Sequence, residues 1–273
     1  MTHAPTHAPT HAPLAGRTAV VTGGSNGIGA ASVRALAAAG ARVAICYRTG
    51  AERAEALRGM LPGTGHRTLP LDLTDPGSVH HMAEAVRAAY GHLDILVNSA
   101  GVTRPIPHAD LDTLDEALFD QILIANARGP YSVIRALLPL LRAAGGAAGG
   151  AAGGAAGSGG TPAVVVNISS VAALNGAGSN IAYGAAKAAL ETMTMSLARV
   201  LGPEVRLMCV APGPVATDFV AGRGRDALEK LAAATPLRRV VEAEDVAQAV
   251  MACITHLPTS TGSRIIVDGG RML

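Results

Sequence analysis

The most constraining feature of the chain is a short apolar run, Ala19-Val20-Val21, that passes straight into Thr22-Gly23-Gly24-Ser25-Asn26-Gly27-Ile28-Gly29 and then into an Ala-rich helical stretch. Glycines at this spacing between a strand and a helix answer a particular need. A pyrophosphate requires backbone N–H groups at close range, which a Cβ would obstruct, and a helix N-terminus aimed at it. Gly23 is expected to make the turn, Gly27 to allow close approach, and Gly29 to let helix and strand pack. A glycine cluster alone is weak, since loops are often glycine-rich. Its setting, with a strand before, a helix after and a βαβ unit following, points to a bound dinucleotide.

The rest of the chain keeps the same rhythm. Strands are expected at Thr18–Val21, Val43–Tyr47, His66–Leu71, Ile95–Asn98, Val164–Ile168, Arg206–Val210 and Arg264–Val267. Helical stretches lie between them, near 27–39, 51–60, 76–90, 114–142, 182–200, 226–233 and 243–254. Alternation of this kind specifies an α/β fold, a single Rossmann-type doubly wound parallel sheet of seven strands with helices on both faces. Two segments are poor core material: residues 1–13, a THAP tetrapeptide repeated three times, and 145–160, GGAAGGAAGGAAGSGG. The first is expected to be a disordered tail. The second joins a helix to a strand, so it should lie opposite the ligand crevice as a flexible insertion rather than a lid. Residues 14–273 then form one dinucleotide-binding catalytic domain.

With 49% hydrophobic but only 2% aromatic residues, the core must be built from Val, Leu, Ile and Ala. A net charge of +2 excludes a strongly basic nucleic-acid binder. Cys46, Cys209 and Cys253 lack metal-ligand spacing and read as small buried thiols of a reduced, cytoplasmic protein. No basic region followed by an apolar run opens the chain, so no secretion signal is expected, and no run is long enough to span a bilayer.

Two further positions bear on chemistry. The second strand ends Ile45-Cys46-Tyr47-Arg48-Thr49, without the carboxylate that would accept from a free ribose 2′-hydroxyl. Arg48 instead offers a permanent, forked cation suited to a 2′-phosphate, which favours NADP(H) and leaves NAD(H) possible. Asn26, and not a second cation, occupies the glycine loop. Downstream, Asn167-Ile168-Ser169-Ser170 leaves a strand, and Tyr183-Gly184-Ala185-Ala186-Lys187 follows thirteen residues after Ser170. On a helix Tyr183 and Lys187 share a face one turn apart. A free phenol titrates near 10, and a neighbouring ammonium favours the phenolate, so Lys187 is expected to bring Tyr183 toward neutrality.

With these residues in view, the sequence resembles a short-chain dehydrogenase/reductase over roughly residues 14–273. The resemblance rests on the glycine loop, Asp72-Leu73, Asn98-Ser99-Ala100-Gly101, Asn126, Ser170, Tyr183 with Lys187, Pro212-Gly213 and Asp268-Gly269-Gly270. It implies that Ser170 holds the substrate oxygen and that Tyr183 is the general acid in reduction or base in oxidation. Lys187 would tune Tyr183 and bind the nicotinamide ribose, and Asn126 would anchor a water leading from Lys187 to solvent. For the cofactor it implies Ser25, Asn26 and Ile28 at the loop, Asp72 at the adenine with Leu73 beside it, and Asn98, which also steadies the sheet, with Ala100 and Gly101. Pro212, Gly213 and Val215 would also bind the cofactor, and Thr217 would meet the carboxamide side of the nicotinamide. The reaction implied is hydride transfer between a nicotinamide and a carbonyl or secondary alcohol, with no metal. Ser99 replaces the family's usual second Asn, a mild change.

Other polar residues read as structural. Asp94 is expected to be a local hydrogen-bond acceptor, His80 and His81 a surface pair, and Ser169 a bystander to Ser170. The pattern is nearest to the 3-oxoacyl-carrier-protein reductase branch, notably in Thr235-Pro236-Leu237-Arg238-Arg239. Arg142 is followed by Ala and Gly where that branch carries basic residues, so carrier-protein docking stays open beside a free small ketone or secondary alcohol. Arg223, Arg225 and Arg238, near Phe219, Val220, Leu228 and Leu231, read equally as solvated cations and receive no substrate contact. A homotetramer or homodimer is expected from the family. The rival, a nucleotide-binding regulator without turnover, should lack one of Ser170, Tyr183 and Lys187, and all three are present.

Overall fold

The computed structural model describes residues 12–146 and 161–273. Its strands are β1 (Thr18–Thr22), β2 (Arg42–Tyr47), β3 (Arg67–Pro70), β4 (Ile95–Asn98), β5 (Ala163–Ile168), β6 (Val205–Pro212) and β7 (Ser263–Val267). They form one parallel sheet in the order β3-β2-β1-β4-β5-β6-β7. The chain winds outward from β1 to β3, then returns to the centre and winds the other way. That reversal opens a crevice beyond the carboxyl ends of β1 and β4.

The helices are α1 (Gly27–Ala38), α2 (Ala51–Met60), α3 (Pro76–Tyr90), α4 (Glu116–Leu123), α5 (Gly129–Gly145), α6 (Ala172–Asn175), α7 (Ile181–Leu201), α8 (Arg225–Ala233) and α9 (Ala243–Thr255). They cover both faces of the sheet, and the alternation of side chains along each central strand divides the core in two. Val21, Val43, Ile45, Val97 and Val166 pack one face against α1 and α9. Val20, Ala44, Leu96, Val165 and Leu207 pack the other with Leu137 and Leu141 of α5. Strands buried on both faces explain why the sequence shows near-continuous aliphatic runs instead of alternation.

The expected helix over 114–142 is three pieces. Between α4 and α5 a π-helical turn spans Ile124–Arg128, where the Gly129 N–H reaches back five residues to the Ile124 carbonyl. Pro130 supplies the reason: it has no N–H to offer the Asn126 carbonyl four residues earlier, and the helix widens there. α6 was not anticipated. β3 starts one residue later than expected because His66 accepts from the Val43 N–H through Nδ1 (3.1 Å). Asp94 is a structural acceptor, taking the Thr18 N–H at 2.8 Å and pairing with Arg17. His80 and His81 are exposed, and the three cysteines are buried and free.

The THAP repeats lie outside the described residues apart from their last two, Ala12 and Pro13. Of the 145–160 run only Gly145 and Gly146 are described, and Gly145 is the buried last residue of α5. No helix among the described residues is long and apolar enough to cross a membrane.

Gly29 lies where α1 crosses the loop after β1, and a Cβ there would stand 2.1 Å from the Gly23 carbonyl oxygen. The contact is backbone against backbone, so no rotamer relieves it. Gly29→Ala is expected to cost about 3 kcal/mol or more, with a clear fall in the thermal midpoint. An unchanged midpoint would show that the loop yields.

Candidate active site

One cavity of about 620 Å³ runs across the carboxyl ends of the strands, and it gathers most of the residues expected at the site. At its base the loop after β1 is drawn tight. Gly23 adopts φ +64°, and a Cβ on it would come 2.9 Å from the Ala100 Cα. The Thr22 hydroxyl accepts from both the Ser99 and Ala100 N–H groups at 3.1 Å, tying the ends of β1 and β4 together. Asn26 caps α1 by accepting from the Gly27 N–H at 2.8 Å. Thr217 stands opposite Gly27 across the crevice, at a distance a Cβ would reduce to 3.2 Å.

The crevice wall includes Gly23, Ser25, Asn26, Gly27 and Ile28, and further round Asp72, Leu73, Ala100 and Gly101. Pro212, Gly213, Val215 and Thr217 close it on the far side. Three expected cofactor or catalytic residues stand behind the wall. Gly29 packs on the Gly23 carbonyl. Asn98 turns sideways within the sheet, donating to the Asn167 side chain at 2.9 Å, and leaves Ser99, Ala100 and Gly101 to face the cavity. Asn126 lies beneath Gly101.

At the outer end of β2, Arg48 lines the cavity as expected, but it is not alone. Arg53, in the first turn of α2, lines it too, with its guanidinium folded over Gly50. The second cation is thus supplied by the helix after β2 and not by the glycine loop. Its signal in the sequence was an Arg five residues beyond Arg48, which becomes meaningful only when α2 turns it back. Asp72 accepts from the Thr74 N–H and hydroxyl, which together with nearby Arg48 hold its carboxyl below the usual range.

At the inner end, Ser170, Tyr183 and Lys187 converge. Asn180 caps α7 by accepting from the Tyr183 N–H at 2.7 Å, which sets the register that turns Tyr183 and Lys187 toward the cavity. Lys187 donates to the Ile168 carbonyl at 2.8 Å, and its Nζ lies 5.6 Å from the centre of the Tyr183 ring. Burial dominates the electrostatics. It pushes the Tyr183 phenol up to about 12, against the pull of the Ser170 hydroxyl and of Arg223. It pushes Lys187 down to about 8. The expectation that Lys187 brings Tyr183 toward neutrality is therefore corrected: burial raises the phenol, and the influences that oppose it come from Ser170 and Arg223.

Asn126 is fully buried. Its Nδ2 donates to Val102 and Ile122 carbonyls at 2.7 and 2.9 Å, while its Oδ1 has no partner among the described residues. A Cβ on Gly101 would lie 2.5 Å from that Oδ1 and 3.8 Å from Lys187 Nζ. A buried acceptor left open beside a buried ammonium is the place for a small polar molecule.

A family model described as enoyl-(acyl carrier protein) reductase matches residues 23–271. The granaticin polyketide synthase putative ketoacyl reductase 2 of Streptomyces violaceoruber is 35% identical over 93% of this chain and 96% of its own. The chain is a short-chain dehydrogenase/reductase. Another such relative, the rhamnolipids biosynthesis 3-oxoacyl-[acyl-carrier-protein] reductase of Pseudomonas aeruginosa, is 34% identical over 94% of this chain and 96% of its own. Among solved structures, a short chain dehydrogenase from Burkholderia cenocepacia J2315 in complex with NADP superposes with a TM-score of 0.81. It is 33% identical and covers 96% of this chain and 100% of that one. As a short-chain dehydrogenase/reductase the protein is an oxidoreductase acting on a small molecule.

Proposed function

We propose that the protein is an NADP(H)-dependent carbonyl reductase that reduces a 3-oxoacyl-thioester-type compound or a small ketone. The observation that carries this reading is the convergence of Ser170, Tyr183 and Lys187 with the glycine loop in a single cavity. The residues fit a nicotinamide dinucleotide: the tight Gly23 turn and Gly27 leave backbone exposed for a pyrophosphate, and the open Asn126 Oδ1 sits behind the inner end. When bound, that coenzyme supplies the hydride.

The chain's own residues then have distinct tasks. Ser170 donates a hydrogen bond to the substrate oxygen. Tyr183 carries the proton, and a phenol held near 12 stays protonated at neutral pH and gives its proton only to an oxygen that is acquiring charge. Lys187 would hold the ribose and favour proton release from Tyr183, and Asn126 would anchor a water that connects Lys187 to solvent. Asn98 steadies β4 against β5, and Asp72 would meet the adenine. Kinship with ketoacyl reductases supports the substrate class, with NAD(P)-dependent oxidation of a secondary alcohol as the alternative direction. The half-exposed Met195 and Tyr131 and the exposed Val200 on the long helices, with Ile266 on edge strand β7, support a homo-oligomer.

The direct test is a panel of ketones, acyl thioesters and alcohols followed by absorbance of the reduced nicotinamide. Turnover of none would overturn the reading. For the coenzyme, Arg48 and Arg53 both line the cavity and would share a 2′-phosphate. Arg48→Asp is expected to lower kcat/KM for NADPH by about a hundredfold while leaving NADH within a few fold. Arg53→Ala should lower it by about tenfold. An unchanged NADPH-to-NADH ratio in both would sink the assignment.

A further inference from the structure

Two arginines at the inner end of the cavity remain without a task. Arg223 comes from the segment between β6 and α8, and Arg271 from the turn after β7; both line the cavity with Phe219, Val220 and Leu231. Phe219 packs on the Tyr183 ring at 5.8 Å between centroids, so this segment roofs the reacting end.

Neither arginine is neutralised. Among the described residues no ion pair includes Arg223 or Arg271, whereas Arg225, exposed and two residues further on, is held by both Glu229 and Glu242. The nearest acid in sequence to Arg271 is Asp268. It is buried and gives its carboxylate oxygens to the Gly270 and Met272 N–H groups, 2.8 and 2.9 Å away, which fixes the turn that presents Arg271. Of the carboxylates on the cavity wall, Asp72 belongs to the far end with Arg48, and Asp218 sits on the Arg223 segment without bridging to either arginine. Arg223 is half-buried and Arg271 exposed. The charge of Arg223 bears on Tyr183, and that of Arg271 bears on Arg223 in turn, so the three groups occupy one electrostatic neighbourhood. Two cations within one electrostatic neighbourhood repel, and that cost is relieved when an anion enters between them.

We infer that Arg223 and Arg271 form a subsite for an anionic group of the substrate, so that the preferred carbonyl compound carries a carboxylate or a phosphate. This inference rests on the reductase reading. The apolar Phe219, Val220 and Leu231 accept the carbon chain between carbonyl and anion, and the guanidinium forks fix its far end.

The test compares 2-, 3- and 4-oxo carboxylates with their neutral methyl esters, using wild type, Arg223→Gln, Arg271→Gln and the conservative Arg271→Lys. Wild type is expected to favour the best acid over its ester by about tenfold or more in kcat/KM. Both Gln variants should bring that ratio toward one, chiefly through KM, and Arg271→Lys should restore part of it. A second pair, the acetoacetyl thioesters of coenzyme A and of neutral N-acetylcysteamine, tells whether the anion lies on the acyl chain or on the thiol carrier. Independently of turnover, the corresponding hydroxy acids should raise the thermal midpoint of the coenzyme-free wild type and not of the Gln variants. Equal use of acid and ester, and of both thioesters, by wild type would overturn the inference and leave the reductase reading intact. So would Gln variants that lose NADPH affinity in a fluorescence titration with their acid-to-ester ratio unchanged, since the anion would then be the coenzyme's. Turnover of no oxo compound would instead remove the reductase reading itself.

Discussion

Tyr183→Phe is expected to lower kcat by about a thousandfold while NADPH binding, read by fluorescence titration, stays within a few fold. The change removes one oxygen and keeps the ring, so the 5.8 Å contact with Phe219 and the helix register set by Asn180 persist. What is lost is the proton that must reach the substrate oxygen as negative charge develops there. Ser170 is a poor replacement, because it offers a hydrogen bond but titrates far too high to yield its proton. The phenol pushed up to about 12 also makes a prediction about pH. Below that value Tyr183 is protonated in the free enzyme, so reduction should show no loss of activity attributable to Tyr183 between pH 6 and 9 in kcat/KM. Retention of more than a tenth of wild-type kcat in Tyr183→Phe would take the residue out of the proton-transfer role.

Lys187→Met should divide function from stability. Turnover is expected to fall by at least about a hundredfold, since the charge proposed to assist Tyr183 and to hold the ribose is gone. The fold should become firmer at neutral pH. Burial lowers the Lys187 pKa from 10.5 to about 8, so the folded protein pays to keep it charged, by about 3 kcal/mol. Losing its 2.8 Å bond to the Ile168 carbonyl returns about 1 kcal/mol of this, leaving a net gain of about 2 kcal/mol. The sign with pH follows from the direction of the shift. Between about 8 and 10.5 the unfolded chain binds a proton at this position that the folded chain has released, so wild-type stability rises with pH through that window relative to the variant. Denaturant melts at pH 7 and pH 10 should therefore show a stabilised variant at the lower pH and a narrowed gap at the higher. A variant less stable than wild type at pH 7 would mean that the lysine's hydrogen bond outweighs its desolvation.

The contrast between these residues and Arg53 illustrates what a linear reading can reach. Ser170, Tyr183 and Lys187 were legible because their relation is local: a strand end, a fixed interval, and one helical turn. The seven strands were legible for a similar reason, since Val-rich runs buried on both faces are dense in β-branched residues. The break at Ile124–Arg128 was not, because Pro130 acts on a carbonyl four residues back inside a continuous helical pattern, and a widened helix leaves no trace in hydrophobic periodicity. Arg53 was missed since its approach to the cavity depends on how α2 leaves Gly50. Asn98 was expected both to steady the sheet and to line the cavity; its bond to Asn167 across β4 and β5 does the first and turns it away from the second.

Local order along the chain, then, was enough to determine the α/β architecture, the tight glycine loop and the shared face of Tyr183 and Lys187, because each depends on backbone geometry over one turn or one strand. The tertiary structure alone decided the balance of charge. Burial set Tyr183 and Lys187 on opposite sides of their ordinary values, α2 brought Arg53 to the cavity that Arg48 lines, and the turn after β7 brought the charge of Arg271 to bear on Arg223 across 48 residues of chain. Desolvation and long-range Coulomb forces depend on what surrounds a group in space, and neighbours in space are not neighbours in sequence.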